Sequence, residues 1–149
     1  MIQKFDIKLD RIVGFEFASR TAHVGGIGLH WQEEEDGEEE IAQLFESKFG
    51  IGSVLVAVLR RREPTRDSGP HNSWALVVFN ELSTYNKLMD GKETARIPTG
   101  VDDGQGGPKV TFVVRKVSPE KALDSTGSFG KIFAECRRRV AAKVDASHA

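Results

Sequence analysis

Only one cysteine, Cys136, occurs among the 149 residues. An internal disulfide is therefore excluded, and so is a zinc site built from four cysteines. No apolar run approaches the roughly 20 residues of a membrane-crossing helix. Runs such as Val54 to Leu59 have the length of a strand. The N-terminal MIQKFDIKLD alternates charged and apolar residues. It has neither the apolar stretch of a secretory signal nor the Arg-rich, acid-poor pattern of a transit peptide, and is expected to be part of the structure. His23, His30, His71 and His148 show no ligand spacing with Cys136 or with carboxylates. Asp102 and Asp103 lack the alternating acids and closing glutamate of a calcium loop. Neither a GxxxxGK[ST] phosphate loop nor a GxSxG elbow is present. These absences predict a noncatalytic protein with no cofactor, no metal, no membrane association and no small-molecule ligand. They also place it in a reducing intracellular compartment, cytoplasmic or nuclear.

The composition is that of a soluble globular chain, 39% apolar and 29% charged, and its length suits one principal core. A net charge of −1 conceals a strong segregation of sign. Residues 33–40, EEEDGEEE, are seven acids and a glycine. Arg60, Arg61, Arg62 and Arg66 form one basic group, and Arg137, Arg138, Arg139 and Lys143 another. A nucleic acid would have to meet the basic groups and avoid the acidic one.

Along the chain, residues 3–9 alternate Phe5, Ile7 and Leu9 with Lys4, Asp6 and Lys8, the two-residue period of a half-buried strand. Extended segments are expected at Arg11 to Phe17 and from Thr21 to about Trp31. After the acidic run, Ile41, Leu44, Phe45 and Phe49 share a helical face, with Gly50 placed to end the helix. SVLVAVLR has the β-branched, continuously apolar composition of a strand covered on both sides. SWALVVFN directs Trp74, Leu76 and Val78 to one face and Ala75, Val77 and Phe79 to the other. A short helix follows, closing at Gly91. Residues 91–109 contain five glycines and two prolines and read as loop, with brief edge pairing possible at Thr94 to Ile97. KVTFVVRKV is the last strand. Ser118-Pro119 opens a helix with proline at its first position. From Phe129, a stripe of Ile132, Phe133, Cys136 and Val140 makes a terminal amphipathic helix. Cys136 on that stripe reads as a packing residue rather than a thiolate, although three arginines follow it.

Between Thr21 and Val117 the order is strand, helix, strand, strand, helix, strand. It predicts an α+β, ferredoxin-like βαββαβ sandwich with both helices on one side of an antiparallel sheet. Three regions are expected: an N-terminal strand extension at 1–19, the sandwich at 20–117, and a C-terminal amphipathic helical extension at 118–149.

Over residues 20–117 the sequence resembles the RNA-recognition-motif (RRM) family, with degenerate signatures. NSWALVVF at 72–79 follows the third-strand signature at Trp74, Ala75, Val77 and Phe79. It departs from that signature at Asn72, Ser73 and Leu76, the last standing where the family's main stacking aromatic belongs. AHVGGI at 22–27 resembles the first-strand signature, with His23 at an aromatic position. The resemblance implies single-stranded RNA as partner, bound on an open sheet face by His23, Asn72, Trp74 and the Leu76 position. Arg60, Arg61, Arg62 and Arg66 would contact phosphates.

A second reading keeps the fold but closes the face. Trp74 is core if the Phe129 to Val140 stripe, or the N-terminal strand, covers the sheet. The partner is then a protein, as in the splicing-factor subclass whose acidic first helix captures a basic peptide. Glu38, Glu39, Glu40 and Glu46 would serve there, although Ala95-Arg96-Ile97-Pro98 lacks that subclass's aromatic. The domain could equally be a structural subunit of a large assembly. RIVGFEFASR at 11–20 also looks like an acylphosphatase turn, with Arg20 holding phosphate and Asn80 or Asn86 orienting water. Too few residues separate it from the next strand for the helix that the turn must enter, and we reject that reading.

Overall fold

A strand that is apolar on both faces needs a layer on each side of it, and β3 (Ser73–Phe79) is such a strand. In the computed structural model, which describes residues 18–33, 35–61, 73–102, 109–124 and 126–147, both layers are present. Ala75, Val77 and Phe79 enter one core, and Leu76 and Val78 the other, with Trp74 packed against it. β2 (Val54–Arg60) behaves alike: Ala57 and Leu59 join the first core, Val56 and Val58 the second.

Among the described residues the sheet has five antiparallel strands in the order β2-β3-β1-β5-β4, with β1 at Thr21–Ile27, β4 at Thr94–Pro98 and β5 at Thr111–Lys116. Between the strands lie α1 (Leu29–Glu33), α2 (Gly37–Phe49) and α3 (Leu82–Met89); α4 (Pro119–Leu123) and α5 (Ser128–Ser147) follow the last strand. The protein is thus an α+β structure with helices against both faces of one sheet. Ile41 and Phe45 of α2, with Tyr85, Leu88 and Met89 of α3, fill the first core. Phe133, Cys136 and Val140 of α5 and Ala122 of α4 fill the second.

Two expectations are corrected. The extended segment from Thr21 does not reach Trp31. It stops at Ile27, where the β1–β3 register shifts and Gly26 takes φ +80°, a left-handed conformation that suits glycine. The chain then turns into α1, which drives Trp31 wholly into the first core against Phe112 at 4.8 Å. The loop reading of residues 91–109 is corrected in extent only, since the edge pairing expected at Thr94 to Ile97 is present. Thr94–Pro98 forms a complete edge strand on β5, because Ile97 alternates inward to the first core while Thr94, Arg96 and Pro98 stay exposed.

α1 and α2 meet at Gly37. A Cβ there would lie 2.0 Å from the Trp31 carbonyl oxygen, so only glycine permits the approach. α2 ends at Gly50, α3 at Asp90 and Gly91 with positive φ, and α4 begins with proline after Ser118, as the sequence predicts. Ala18 and Ser19 are helical, and Ala18 is buried in the second core. The strand expected at 3–9 and the segment at 11–17 lie outside the described residues, as do Arg62, Arg66, His71, Asn72, Asp103 and His148.

Candidate functional site: a stacked aromatic triad on a half-covered sheet face

β1 and β3 pair His23 with Leu76 and Gly25 with Trp74. His23 and Trp74 are therefore diagonal neighbours on one face, close enough for their rings to meet. Gly25 has no side chain, and the His23 ring lies over it: a Cβ there would sit 3.8 Å from His23 Cε1. The His23 and Trp74 rings stack with centroids 5.2 Å apart and 29° between planes. Phe129, in the first turn of α5, completes the group at 5.7 Å from Trp74 and 6.1 Å from His23, tilted by 23° and 13°. Lys121 of α4 places its Nζ 5.3 Å from the Phe129 ring centre, a cation–π contact. A cavity of about 360 Å³ beside this group is lined by His23, Trp74, Lys121, Asp124, Ser128 and Phe129. Burial, and then the Arg115 and Lys121 cations, hold the His23 imidazole below its ordinary range. At neutral pH it is an uncharged ring in a stack.

Leu76 is not at an open surface. It is 0% exposed, beneath α5, in the core that also holds Val56, Val58, Val78 and Phe133. The physical reason is that β2 and β3 carry apolar side chains on this side too, and these require a cover. α5 lies over β2 and β3, whereas exposed Arg115 of β5 and Arg96 of β4 occupy the rest of the sheet.

Among the described residues, the basic and acidic side chains singled out from the sequence are largely engaged in contacts within the chain. Arg61 is turned toward α1, where its Nη1 donates to the carbonyls of Trp31, at 3.4 Å, and Gln32. Arg60 is half-buried at the end of β2, and its carbonyl accepts from Ser73 Oγ. Glu38 ties three elements together: Oε2 accepts from the Leu59 N–H at 2.7 Å, and Oε1 from Arg139 Nη1 at 2.8 Å. Arg139, in turn, bonds Glu135 one helical turn earlier at 3.2 Å. The Glu38 hydrogen bond, the largest influence, raises the Arg139 pKa further. Glu40 meets His30 Nε2 at 3.0 Å, and Glu46 accepts the Gly52 N–H. Of the four acids proposed for a protein partner, Glu39 is exposed and Glu38, Glu40 and Glu46 are partly buried.

Arg20 Nη1 donates to the Asn80 carbonyl at 2.6 Å, which joins the start of β1 to the end of β3. Cys136 is buried, and its thiol is pushed up to about 12 by that burial, which leaves no thiolate for chemistry near neutral pH. Among the described residues no three His, Cys, Asp or Glu side chains gather as metal ligands, and no helix is long and apolar enough to cross a membrane.

No family model, curated protein or solved structure matches this chain.

Sequence reasoning named His23 and Trp74 but did not anticipate Phe129 as their stacking partner. The available signal was the phase of the terminal stripe: Phe129 heads the row Phe129, Phe133, Cys136, Val140, which faces a single apolar surface. Glu38 carried no signal of its own, because seven acids in sequence look alike until the fold brings Arg139 to one of them.

Proposed function

We propose that this chain is a noncatalytic, RRM-like module that acts through protein contacts within a larger assembly, its sheet face closed over β2 and β3 by its own C-terminal helix. The strand order β2-β3-β1-β5, with α2 and α3 on the same side, supports the ferredoxin-like reading; β4 is then an added edge strand. One observation carries the functional reading. Phe129 occupies the place over Trp74 and His23 where an unpaired base would stack. With ring centres 5.2 to 6.1 Å apart, no gap remains among the three rings for a base to enter. Beside them, Val56, Val58, Leu76 and Val78 are buried, so lifting α5 away would expose them all at once, at roughly 1.5–3 kcal/mol for each aliphatic side chain. Arg61 is directed at α1 rather than at this face. An RNA strand would thus have to compete with an intramolecular seal.

The test is fluorescence anisotropy with a mixed pool of short single-stranded oligoribonucleotides at low and moderate salt, on the intact chain and on Trp74→Ala. The expected outcome is no difference between the two proteins. Salt-sensitive binding that a still-folded Trp74→Ala variant loses would make RNA the ligand and refute the closed-face reading.

A further inference from the structure

β2 is an outer strand of the sheet among the described residues, and its free edge lies at the bottom of a groove between α2 and α5. The groove has a volume of about 590 Å³. Its floor is Val54 to Ala57. One wall, α2 and the turn before it, presents Glu35, Asp36, Glu38, Glu39 and Glu46; the other presents Arg139 and Lys143 of α5. Arg139 is already paired with Glu38 and Glu135, so the α2 wall sets the sign of the groove, which is negative.

The edge is unusual in how its backbone is satisfied. An outer strand turns alternate N–H and C=O groups away from the sheet, where a further strand would bond them. Here the outward Leu59 N–H is held by Glu38 Oε2 at 2.7 Å, and the outward Leu55 carbonyl accepts from Lys143 Nζ at 2.6 Å. A carboxylate and an ammonium, one from each flanking helix, thus stand where the carbonyl and amide of a neighbouring strand would be. By the two-residue repeat of a strand, Ala57 presents its N–H and C=O to the same side as Leu59, between these two side chains. Both are displaceable. Glu38 can release Leu59 while Oε1 keeps Arg139, and Lys143 is an exposed, flexible chain.

We infer that the groove receives an extended, basic peptide segment of a partner protein, which pairs with the outer edge of β2 as a sixth strand and sets its lysines or arginines against the α2 carboxylates. This rests on the protein-contact reading above and identifies the surface and the chemistry of the partner. Main-chain hydrogen bonds supply the affinity of strand addition, and the charge of alternate side chains supplies the selection. The acidic wall rejects an acidic peptide by the same electrostatics.

The probe is a fluorescein-labelled eight-residue peptide of alternating lysine and valine. Two controls accompany it: the same sequence N-methylated at alternate residues, which keeps charge and removes strand pairing, and a glutamate–valine peptide. Binding is measured by anisotropy, and the Ala57 amide is followed by hydrogen exchange. The lysine–valine peptide is expected to bind in a salt-dependent manner and to slow exchange at Ala57 at least tenfold. Both controls should bind at least tenfold more weakly, as should the wild-type probe to a Glu35→Lys, Glu39→Lys double variant. Those two glutamates are exposed and make no hydrogen bond described above, so the variant is expected to fold. Equal binding of the N-methylated peptide would overturn strand addition and leave only charge attraction. No binding at low salt would overturn the inference outright. An Ala57 amide already strongly protected in the free chain would do the same, because the edge would then be occupied by residues of this protein. None of these results alters the state of the Trp74 face, which the RNA experiment reads separately.

Discussion

Replacing Phe133 with alanine probes whether α5 is a structural layer or a loosely held tail. The ring is 1% exposed and sits in the second core with Val56, Val58, Leu76, Val78 and Cys136. Removing a buried phenylalanine side chain costs about 3–5 kcal/mol, from lost transfer energy and the cavity left behind. At ~2–4 °C per kcal/mol for a chain of this size, the midpoint of thermal unfolding should fall by roughly 6–20 °C. Urea unfolding followed by circular dichroism would report the same loss as a lower midpoint with an unchanged slope. Ala134→Ser, at the next and exposed position of the same helix, is the control, expected within about 0.5 kcal/mol of wild type. If Phe133→Ala unfolds like the control, α5 does not seal the sheet in solution. The buried state of Leu76 and the closed-face reading would both fall with it.

Gly37→Ala should destabilise by about 1–3 kcal/mol or more, against the usual gain from alanine in a helix, because the new Cβ would lie 2.0 Å from the Trp31 carbonyl oxygen; a neutral or stabilising result in urea would show that α1 and α2 are not in contact there. For His23 the folded pKa lies below the unfolded value of 6.5, held down by burial first and then by Arg115 and Lys121. Below that pH the unfolded chain binds more protons than the folded one, so this group's contribution is fully present above about pH 6.5 and is lost as the pH falls through the folded pKa. Measured against His23→Phe, which keeps a stacking ring without the titration, wild type should lose relative stability on acidification. Parallel curves for the two proteins would refute a buried, stacked His23.

Much of the layered plan is written in residue periodicity. The alternation in SWALVVF separates two faces, and the outcome, two cores on either side of β3, follows because a strand has no other way to dispose of two apolar rows. The stripe Phe129, Phe133, Cys136, Val140 and the proline after Ser118 are local features that act within one or two helical turns, and their helices form as expected. Trp31 was not readable in this way. It follows a glycine-rich strand without a periodic partner, and its burial depends on a bulge at Gly26 and on the close approach of Gly37.

The site divides along the same line. His23 and Trp74 can be placed on one face from sequence, since strand alternation is a property of the chain itself. Whether that face is open depends on where a helix some fifty residues later comes to rest, and that is a matter of which apolar surfaces find each other in three dimensions. The acid run shows the same limit: its charge is plain in the sequence, but Glu38 acquires its role only when Leu59 and Arg139, 21 and 101 residues away, are brought to its two oxygens. Composition and period determined most of the strands and helices and the two apolar faces of β2 and β3, because those forces act on neighbours along the chain. Tertiary structure alone decided which charges pair, which strands lie outermost among the described residues and which ring covers Trp74, because those contacts join residues that have no local relation to one another.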